Sequence, residues 1–354
     1  MHKFNYRWTL KDTHFTKDKG KVFSCFSAGG GSSLGYKLAG FDVIGCNEID
    51  PKMMEAYITN NSPKYAYTEP IQTFKERDDL PEELYNLDIL DGSPPCSTFS
   101  MAGNREKDWG KEKKFREGQA EQVLDTLFFD FIDLAKKLQP KVVIAENVTG
   151  ILLGEARKYV SRIYEELDKA GYYCQLFLLD ASKMGVPQKR RRVFFIALRK
   201  DLASPFLYSI DLFTEKPLIR MAFNEPEIPF KEIADNEDHT VIDHTVASQL
   251  YPFVKLGDNF ATVHEKGHFF NECKVHPDKP VKTICATGGH GSWHPTIQRL
   301  LNDRELLLAS SFPLDYNSCR NTVRYIVGMS VPPLMIAHVA TNIYEQWLKH
   351  GNVS

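Results

Sequence analysis

The sequence reads as an α/β protein with an open, mostly parallel sheet and a second, smaller lobe. Three observations carry this. Short apolar, β-rich runs alternate with amphipathic helical segments over the first two hundred residues. After Lys200 the texture changes, and Pro205, Pro217, Pro226, Pro229 and Pro252 punctuate segments of weak periodicity, as a loop-rich lobe would. A helical pattern then returns from Leu334 to Leu348 through Ile336, Val339, Ala340, Ile343 and Trp347. A chain of 354 residues is long enough for two domains, or for one large domain carrying an insertion.

Taken in order, Val22 to Phe26 is the first strand, Gly29 to Gly31 break it, and Ser32 to Leu38 start a helix. Phe41 to Asn47 is a second strand, closed by Glu48. Leu87 to Leu90 and Val142 to Ala145 are brief apolar runs ended by polar or turn residues, as strands buried on both faces should be. Between them Val123, Leu124, Leu127, Phe128, Phe131, Leu134, Ala135 and Leu138 recur at three and four residues, and Pro140 lies just past the end of that helix. A further helix uses Val160, Ile163, Tyr164 and Leu167 before Gly171. Tyr173 to Leu179 and Val193 to Leu198 complete the strands.

Composition narrows the class. The chain is 42% hydrophobic and 25% charged, which excludes disordered, collagen-like and coiled-coil architectures. No run of 18 apolar residues occurs and Met1 to Lys21 is polar, so neither a spanning helix nor a signal peptide is expected, and the chain is expected in the cytoplasm. The seven cysteines at 25, 46, 96, 174, 273, 285 and 319 include no C-x-x-C pair, so reduced thiols are expected. A net charge of -2 provides no global basic field, and a nucleic-acid partner would need a localised basic face.

Four segments could carry chemistry. Phe26 to Gly35 is a strand-turn-helix with three consecutive glycines, where backbone can approach a ligand and a helix amino terminus offers N–H groups. Glu48, ending the next strand, can accept hydrogen bonds from ribose hydroxyls, although the strict G-x-G-x-x-G spacing is absent, which disfavours NAD. Asp91 to Ser100 places Cys96 just after a buried strand and two prolines, on a stiff turn at the edge where α/β sheets hold ligands. Glu146 follows another apolar strand on the same edge, and a partly desolvated carboxyl there could hold or donate a proton. In Gln188 to Arg192, strand alternation sends Arg190 and Arg192 to one face, where two guanidiniums suit phosphate or a base carbonyl.

In this order the segments resemble the cytosine-5 DNA methyltransferase family, in its bacterial or phage modification type. Phe26 to Gly31 resembles the family's first AdoMet motif, Pro95-Cys96 its nucleophile motif, Glu146-Asn147-Val148 its acidic motif, and Gln188, Arg190 and Arg192 its Q-x-R-x-R motif. Arg299 to Tyr316, with Arg304-Glu305 and Phe312-Pro313, resembles the penultimate motif, and Gly328 to Pro333 the last. The resemblance implies the Rossmann-like AdoMet-dependent methyltransferase fold. It places an AdoMet-binding catalytic domain at 1–200 plus 325–354 and a target-recognition domain at 201–324, the latter including the hinge motif at 299–316. Base readout would fall between 201 and 295.

By the same resemblance Cys96, Glu146, Arg190 and Arg192 are catalytic, with Cys96 attacking cytosine C6, Glu146 addressing N3 and Arg192 the base O2. Phe26, Gly29, Gly30, Gly31, Glu48, Ile49, Pro95 and Ser330 would bind S-adenosyl-L-methionine, and Ser100, Asn147 and Gln188 would meet the substrate, with no metal. The charged segment Asn104 to Gly118 would close over a flipped base. The partner implied is double-stranded DNA, with room for a cognate restriction endonuclease, no membrane, and a monomeric chain. Three departures from the family pattern are visible: Ala28 replaces the first glycine, Pro70 the usual acidic residue after the third strand, and Met329 the asparagine of the last motif.

Other readings compete. His264-Glu265-Lys266-Gly267-His268 satisfies H-E-x-x-H, but Gly257, Gly267 and Pro277 crowd a segment without helical periodicity, so a zincin is not expected. A structural zinc on His264, His268, Cys273 and His276 is the metal alternative. The tRNA-cytosine branch of the family shares the chemistry, but its Cys-Phe-Thr signature is absent. Ser93-Pro94-Pro95 superficially matches an amino-group methyltransferase turn, with Cys96 where an aromatic residue is needed. Ala28, Pro70 and Met329 motivate a non-catalytic DNA-binding relative.

Overall fold

The parallel order read from the sequence is realised in a seven-stranded sheet. The computed structural model describes residues 2–95, 112–113, 122–123, 126–154, 156–209, 215–286 and 291–350. The chain divides into a larger unit (Phe15–Leu179, Arg191–Ala222, Ala337–Ser354) and a smaller one (Met1–His14, Asp180–Arg190, Phe223–Ile336).

In the larger unit the strands are β1 (Lys21–Cys25), β2 (Asp42–Asn47), β3 (Tyr65–Tyr67), β4 (Ile89–Gly92), β5 (Val142–Val148), β6 (Tyr172–Asp180) and β7 (Arg191–Arg199). Their order across the sheet is β3-β2-β1-β4-β5-β7-β6. β1 to β5 pair in parallel, and β7 runs antiparallel to β5. Strands β4 and β5 are buried almost end to end, which is why they read as short apolar runs without alternation.

The connecting helices are α1 (Gly31–Leu38), α2 (Pro51–Asn61), α3 (Ile71–Phe74), α4 (Leu127–Leu138) and α5 (Ala156–Lys169). α4 buries Leu127, Phe128, Phe131, Ile132, Leu134, Ala135 and Leu138, then stops at Gln139, whose φ of 50° ends the helix ahead of Pro140. The apolar stripe in the sequence extends back to Val123, but residues 122–123 pair with 112–113 as a short antiparallel ladder. α2 has no strong periodic signal. It is instead set by local chemistry: the Asp50 carboxylate caps the Lys52 and Met53 N–H groups, and Pro51 occupies the first helical position. Aromatic pairs tie the layers, with Phe23 on Phe74 at 5.4 Å and Phe128 on Phe195 at 5.3 Å.

The units differ from the boundaries expected at 200 and 325. Residues 201–222 stay with the sheet, because Gln175 Nε2 donates to Pro217 O (2.6 Å) and Trp347 Nε1 to Leu218 O (2.8 Å). The amino-terminal residues belong to the smaller unit, where Trp8 Nε1 donates to Ser311 O (3.0 Å) and Leu314 N to Trp8 O (2.9 Å). Asp180–Arg190 joins it through a parallel pairing of 188–189 with 281–282.

The smaller unit is made of short elements: α6 (Val246–Leu250), α7 (Asp303–Ala309), α8 (Val323–Met329) and two-residue strands. Its apolar cluster gathers Ala247, Tyr251, Val254, Phe260 and Trp293. A polar knot organises much of the remainder. The Arg299 guanidinium donates to both oxygens of Glu305 (2.7 and 3.1 Å) and to Asp235 O, Asp238 O and Leu300 O. Glu305, fully buried, also completes the capping box of α7 with Asn302. A buried, bidentate, fully bonded pair is the arrangement in which an ion pair survives desolvation.

The last helix, α9 (Pro333–Gln346), buries Leu334, Met335, Ile336, Ala337, Val339, Ala340 and Ile343. Among the described residues, Val323–His350 is the one helical stretch long and apolar enough to cross a membrane. It is 83% buried in its most apolar window, so that apolarity is core.

At the end of β4, a Cβ on Gly92 would lie 2.6 Å from the Phe131 ring. Gly92→Ala is therefore expected to destabilise by about 1–3 kcal/mol through overpacking. Urea denaturation reads this directly, and a variant as stable as the parent would mean that α4 moves away from β4 at no cost.

Candidate active site

The parallel register sets the site. Cys25 pairs with Asn47 on β2 and with Gly92 on β4, and Gly92 pairs with Ala145 on β5. The next residues along these four strands are Phe26, Glu48, Ser93 and Glu146, so they stand at one level of the carboxyl edge, where β1, β2 and β4 end and β5 continues to Val148 alongside β7.

The first turn is held in a demanding conformation. Phe26, Ala28 and Gly30 have φ of 52°, 45° and 85°. Only glycine takes that region without steric cost, so Ala28, where the family has glycine, is strained. Glu48 secures the turn: Oε2 accepts from Ala28 N (2.8 Å) and Oε1 from Asp50 N (2.9 Å). Burial pushes the Glu48 carboxyl up from its ordinary range, and these backbone donors pull the other way. At Gly30 the space a Cβ would need is taken by the Asn61 amide and the Tyr57 ring. Asn61 itself is buried, with neither side-chain atom hydrogen-bonded among the described residues.

These residues fit the expected AdoMet. Each Glu48 oxygen already takes one N–H and retains a lone pair for a hydroxyl. Ile49 beside it is half-buried and apolar. In the smaller unit Ser330 Oγ is buried without a hydrogen-bond partner among the described residues, as a group kept for a ligand would be. Met329, in place of the family's asparagine, is 38% exposed.

On the chemical side, β4 runs into Ser93-Pro94-Pro95. Cys96, Ser100 and the segment Asn104 to Gly118, apart from residues 112–113, lie outside the described residues. Asn147 Nδ2 donates to Pro94 O (3.2 Å) and its Oδ1 accepts from Val148 N (2.8 Å), so Asn147 holds the approach to Cys96. Arg192 Nε lies 2.8 Å from Glu146 Oε1. The two reach each other because Arg192 faces Val148 in the antiparallel register, two residues beyond Glu146 on the same face. Arg192 Nη1 also donates to Arg191 O (2.8 Å).

Gln188 and Arg190 have other employment. Gln188, fully buried, donates to Ser310 Oγ (3.0 Å) and Ala309 O (3.4 Å) and accepts from Ile284 N (3.2 Å). Arg190, 3% exposed, donates to Ile284 O (3.1 Å), Gly328 O (3.1 Å) and Ser330 O (3.0 Å). The expectation of two guanidiniums side by side on one strand face is corrected here. Arg190 precedes β7 and satisfies carbonyls at the end of α8, whereas Arg192 lies on β7. Gln188 likewise spends its amide on hydrogen bonds within the smaller unit.

Sequence reading missed Asp91. It is 1% exposed on β4 and accepts from Ser24 Oγ (2.8 Å) and Tyr36 Oη (3.0 Å), joining the first turn's strand and helix to the Cys96 strand. Burial, chiefly, lifts its carboxyl from 3.8 to about 7, with the Glu146 charge adding to the rise. The signal was an acid inside the apolar run Ile89-Leu90-Asp91-Gly92. The H-E-x-x-H segment is not helical, with Gly267 at φ 63°, and among the described residues no three His, Cys, Asp or Glu side chains converge as metal ligands.

Comparison with known proteins is consistent with this geometry. The family model described as C-5 cytosine-specific DNA methylase matches residues 20–345. The Type II methyltransferase M.NgoFVII of Neisseria gonorrhoeae is 27% identical over 353 residues, covering 94% of this chain and 89% of that protein. M.DdeI of Desulfomicrobium norvegicum is 28% identical over 378 residues, covering 91% and 88%. Among solved structures, DNMT2 of Spodoptera frugiperda aligns with a TM-score of 0.62 at 19% identity over 92% of this chain and 99% of that one. A prophage-encoded DNA modification methyltransferase of E. coli aligns at 0.64 and 20%, with the same coverage. The two structural likenesses bear on the fold.

Two outcomes test this geometry. The folded Asp91 carboxyl binds its proton more tightly than the unfolded one, so stability falls as pH rises from about 4 to about 7, by roughly 4 kcal/mol in all. Asp91→Asn removes the titration, and its stability relative to the parent should rise by about 1.4 kcal/mol per pH unit across that window. Urea midpoints showing the same pH slope in both proteins would put the proton elsewhere. Ala28→Gly, which relieves the left-handed strain, should raise stability by up to about 1 kcal/mol. A loss of stability would show that the alanine methyl contributes more packing than strain.

Proposed function

We propose a mechanism on the premise that the chain belongs to the C-5 cytosine-specific DNA methylase family and is a DNA cytosine-5 methyltransferase. The target base leaves the duplex stack, because its C6 face is shielded there. The Cys96 thiolate adds to C6. A carbon–sulfur bond forms, the C5–C6 double bond opens, and electron density passes to C5 and toward N3 and O2. Glu146 holds a proton at N3 and Arg192 donates to O2, so the charge developing in the ring meets fixed partners. AdoMet, held by the Phe26 to Gly31 turn, Glu48, Ile49 and Pro95, would supply an electrophilic methyl group for C5 and leave as the neutral thioether. Loss of the C5 proton then restores the double bond as the C6–sulfur bond breaks and Cys96 leaves as thiolate.

The observation that carries this reading is the Glu146–Arg192 contact of 2.8 Å beside the strand that leads into Cys96. It aligns Glu146 while leaving other Arg192 N–H groups for a carbonyl oxygen. In this reading Asn147 positions the Cys96 turn, and Gln188 and Arg190 position the neighbouring segments. Base readout belongs to the lobe between 201 and 295, since Cys96, Glu146 and Arg192 can address only the extruded base. The relatives' description as Type II methyltransferases supports a modification enzyme of a restriction–modification pair, and in this reading the chain acts as a monomer with a cognate endonuclease as its counterpart.

The decisive experiment is covalent trapping on 5-fluorocytosine DNA in the presence of AdoMet. The parent protein should form an adduct mapping to Cys96, and Cys96→Ser should lose both adduct and methyl transfer while keeping its thermal transition. An adduct at another cysteine, or none with the parent protein, overturns the assignment.

A further inference from the structure

The smaller unit contains a cavity of about 220 Å³ lined by Lys189, Lys274, His276, Lys279, Lys282 and Glu227, with the Cys273 thiol at its wall. Four lysines and one glutamate are among the residues that line it, in a chain whose net charge is -2, so the local charge opposes the global one. We infer that this cavity receives a backbone phosphate of the DNA substrate, and so forms the localised basic face that an acidic chain needs to hold DNA. The inference rests on DNA being the substrate and adds which residues hold its backbone.

Backbone geometry brings the cations together. Residues 281–282 pair in parallel with 188–189, placing Lys282 directly opposite Lys189. The turn at Gly257, where φ is 86°, donates its N–H to Lys274 O (2.8 Å) and accepts from Lys282 Nζ (2.7 Å). Lys274 is fixed over the Tyr251 ring at 3.9 Å and donates to Tyr251 O (3.3 Å). His276 Nδ1 accepts from Asp278 N (3.1 Å), so in the neutral ring the proton is on Nε2, which makes it a donor.

Nearby acids have other ion-pair partners, although Glu227 lines the cavity and its carboxylate also feels the Lys189 charge. Glu227 pairs with Lys183 (3.0 Å) and Asp278 with Lys231 (2.8 Å). Burial pushes the Cys273 thiol up, so it contributes no competing anion. The backbones of Lys189 and Lys279 are hydrogen-bonded, but their ammonium groups make no hydrogen bond or ion pair among the described residues. Two ammonium groups are thus held in place and two remain available. The volume lies below the roughly 300–1,000 Å³ of sites for drug-sized ligands and suits a compact anion better than a base or nucleoside. A phosphodiester in the DNA backbone and free inorganic phosphate share that chemistry, and experiment separates them.

The test measures affinity for a mixed-sequence 40-base-pair duplex across a salt series, using the full chain, Lys279→Gln and the double variant Lys189→Gln/Lys279→Gln. The slope of log affinity against log salt should shrink by about one for each lysine removed. KM for unmethylated genomic DNA should rise while kcat and calorimetric AdoMet affinity hold, and Lys169→Gln in the larger unit should leave the slope alone. A charge reversal, Lys279→Glu, should weaken duplex binding further than the glutamine.

Unchanged slopes in folded variants overturn the inference. So does a slope that is unchanged while titration with inorganic phosphate shows binding to the parent and not to the double variant, since the cavity would then serve a free anion. Loss of the Cys96 adduct in the parent protein would sink the catalytic reading without moving these slopes. Unchanged slopes beside an intact adduct would sink only the phosphate cavity.

Discussion

The hydrogen-bonded register of β2, β1, β4 and β5 is the constraint on which the candidate site depends. Because Asn47, Cys25, Gly92 and Ala145 share one row, the next residue on every strand emerges at the same edge. The glycine-rich turn, Glu48 beside it, the approach to Cys96 and Glu146 are therefore neighbours without any long-range search by side chains. Strand pairing is regular and cooperative, so this placement is far stiffer than loops alone would provide. A slip of one residue in β5 would turn Glu146 to the opposite face and leave Ala145 or Asn147 in its place.

That edge is also where the fold accepts polar burial. Glu48, Asp91 and Glu146 are each less than a tenth exposed, and each has a different compensation. Glu48 takes backbone N–H groups, Asp91 takes two hydroxyls, and Glu146 takes a guanidinium. The hydroxyl donors are the weakest of these for a carboxylate, which agrees with the rise of the Asp91 carboxyl to about 7. Two effects are opposed there: an acid at that place ties β1, α1 and β4 together, yet its ionised form is poorly solvated.

The Q-x-R-x-R segment shows how one short motif serves two structural ends. Gln188 and Arg190 satisfy backbone and hydroxyl groups in the smaller unit, whereas Arg192 enters β7 and meets Glu146. The smaller unit adds buried polar clamps to its apolar clusters, and in one of them the Arg299 guanidinium meets both oxygens of Glu305. The sequence spacing is the same for Arg190 and Arg192, and only the point at which the strand begins separates their roles.

The sequence by itself determined the α/β class, β1, β2, β4 to β7, the long core helices and the position of Glu48 at a strand end, whereas β5, expected to stop at Ala145, runs on through Glu146 to Val148 because β7 pairs with it there. These follow from periodicity and from breaks in apolar runs, which are local properties of the chain. It did not determine α2, which is set by an Asp50 cap more than by an apolar face, nor the start of α4, where the amphipathic pattern continues into a residue paired as a strand. Only the tertiary structure assigned residues 201–222 to the sheet, through hydrogen bonds to Pro217 and Leu218 from residues far along the chain. Only it revealed the partners of Asp91 and the internal bonds of Gln188 and Arg190. A polar side chain's role depends on which donors and acceptors surround it, and those come from segments that are distant in sequence and adjacent only once the chain is folded.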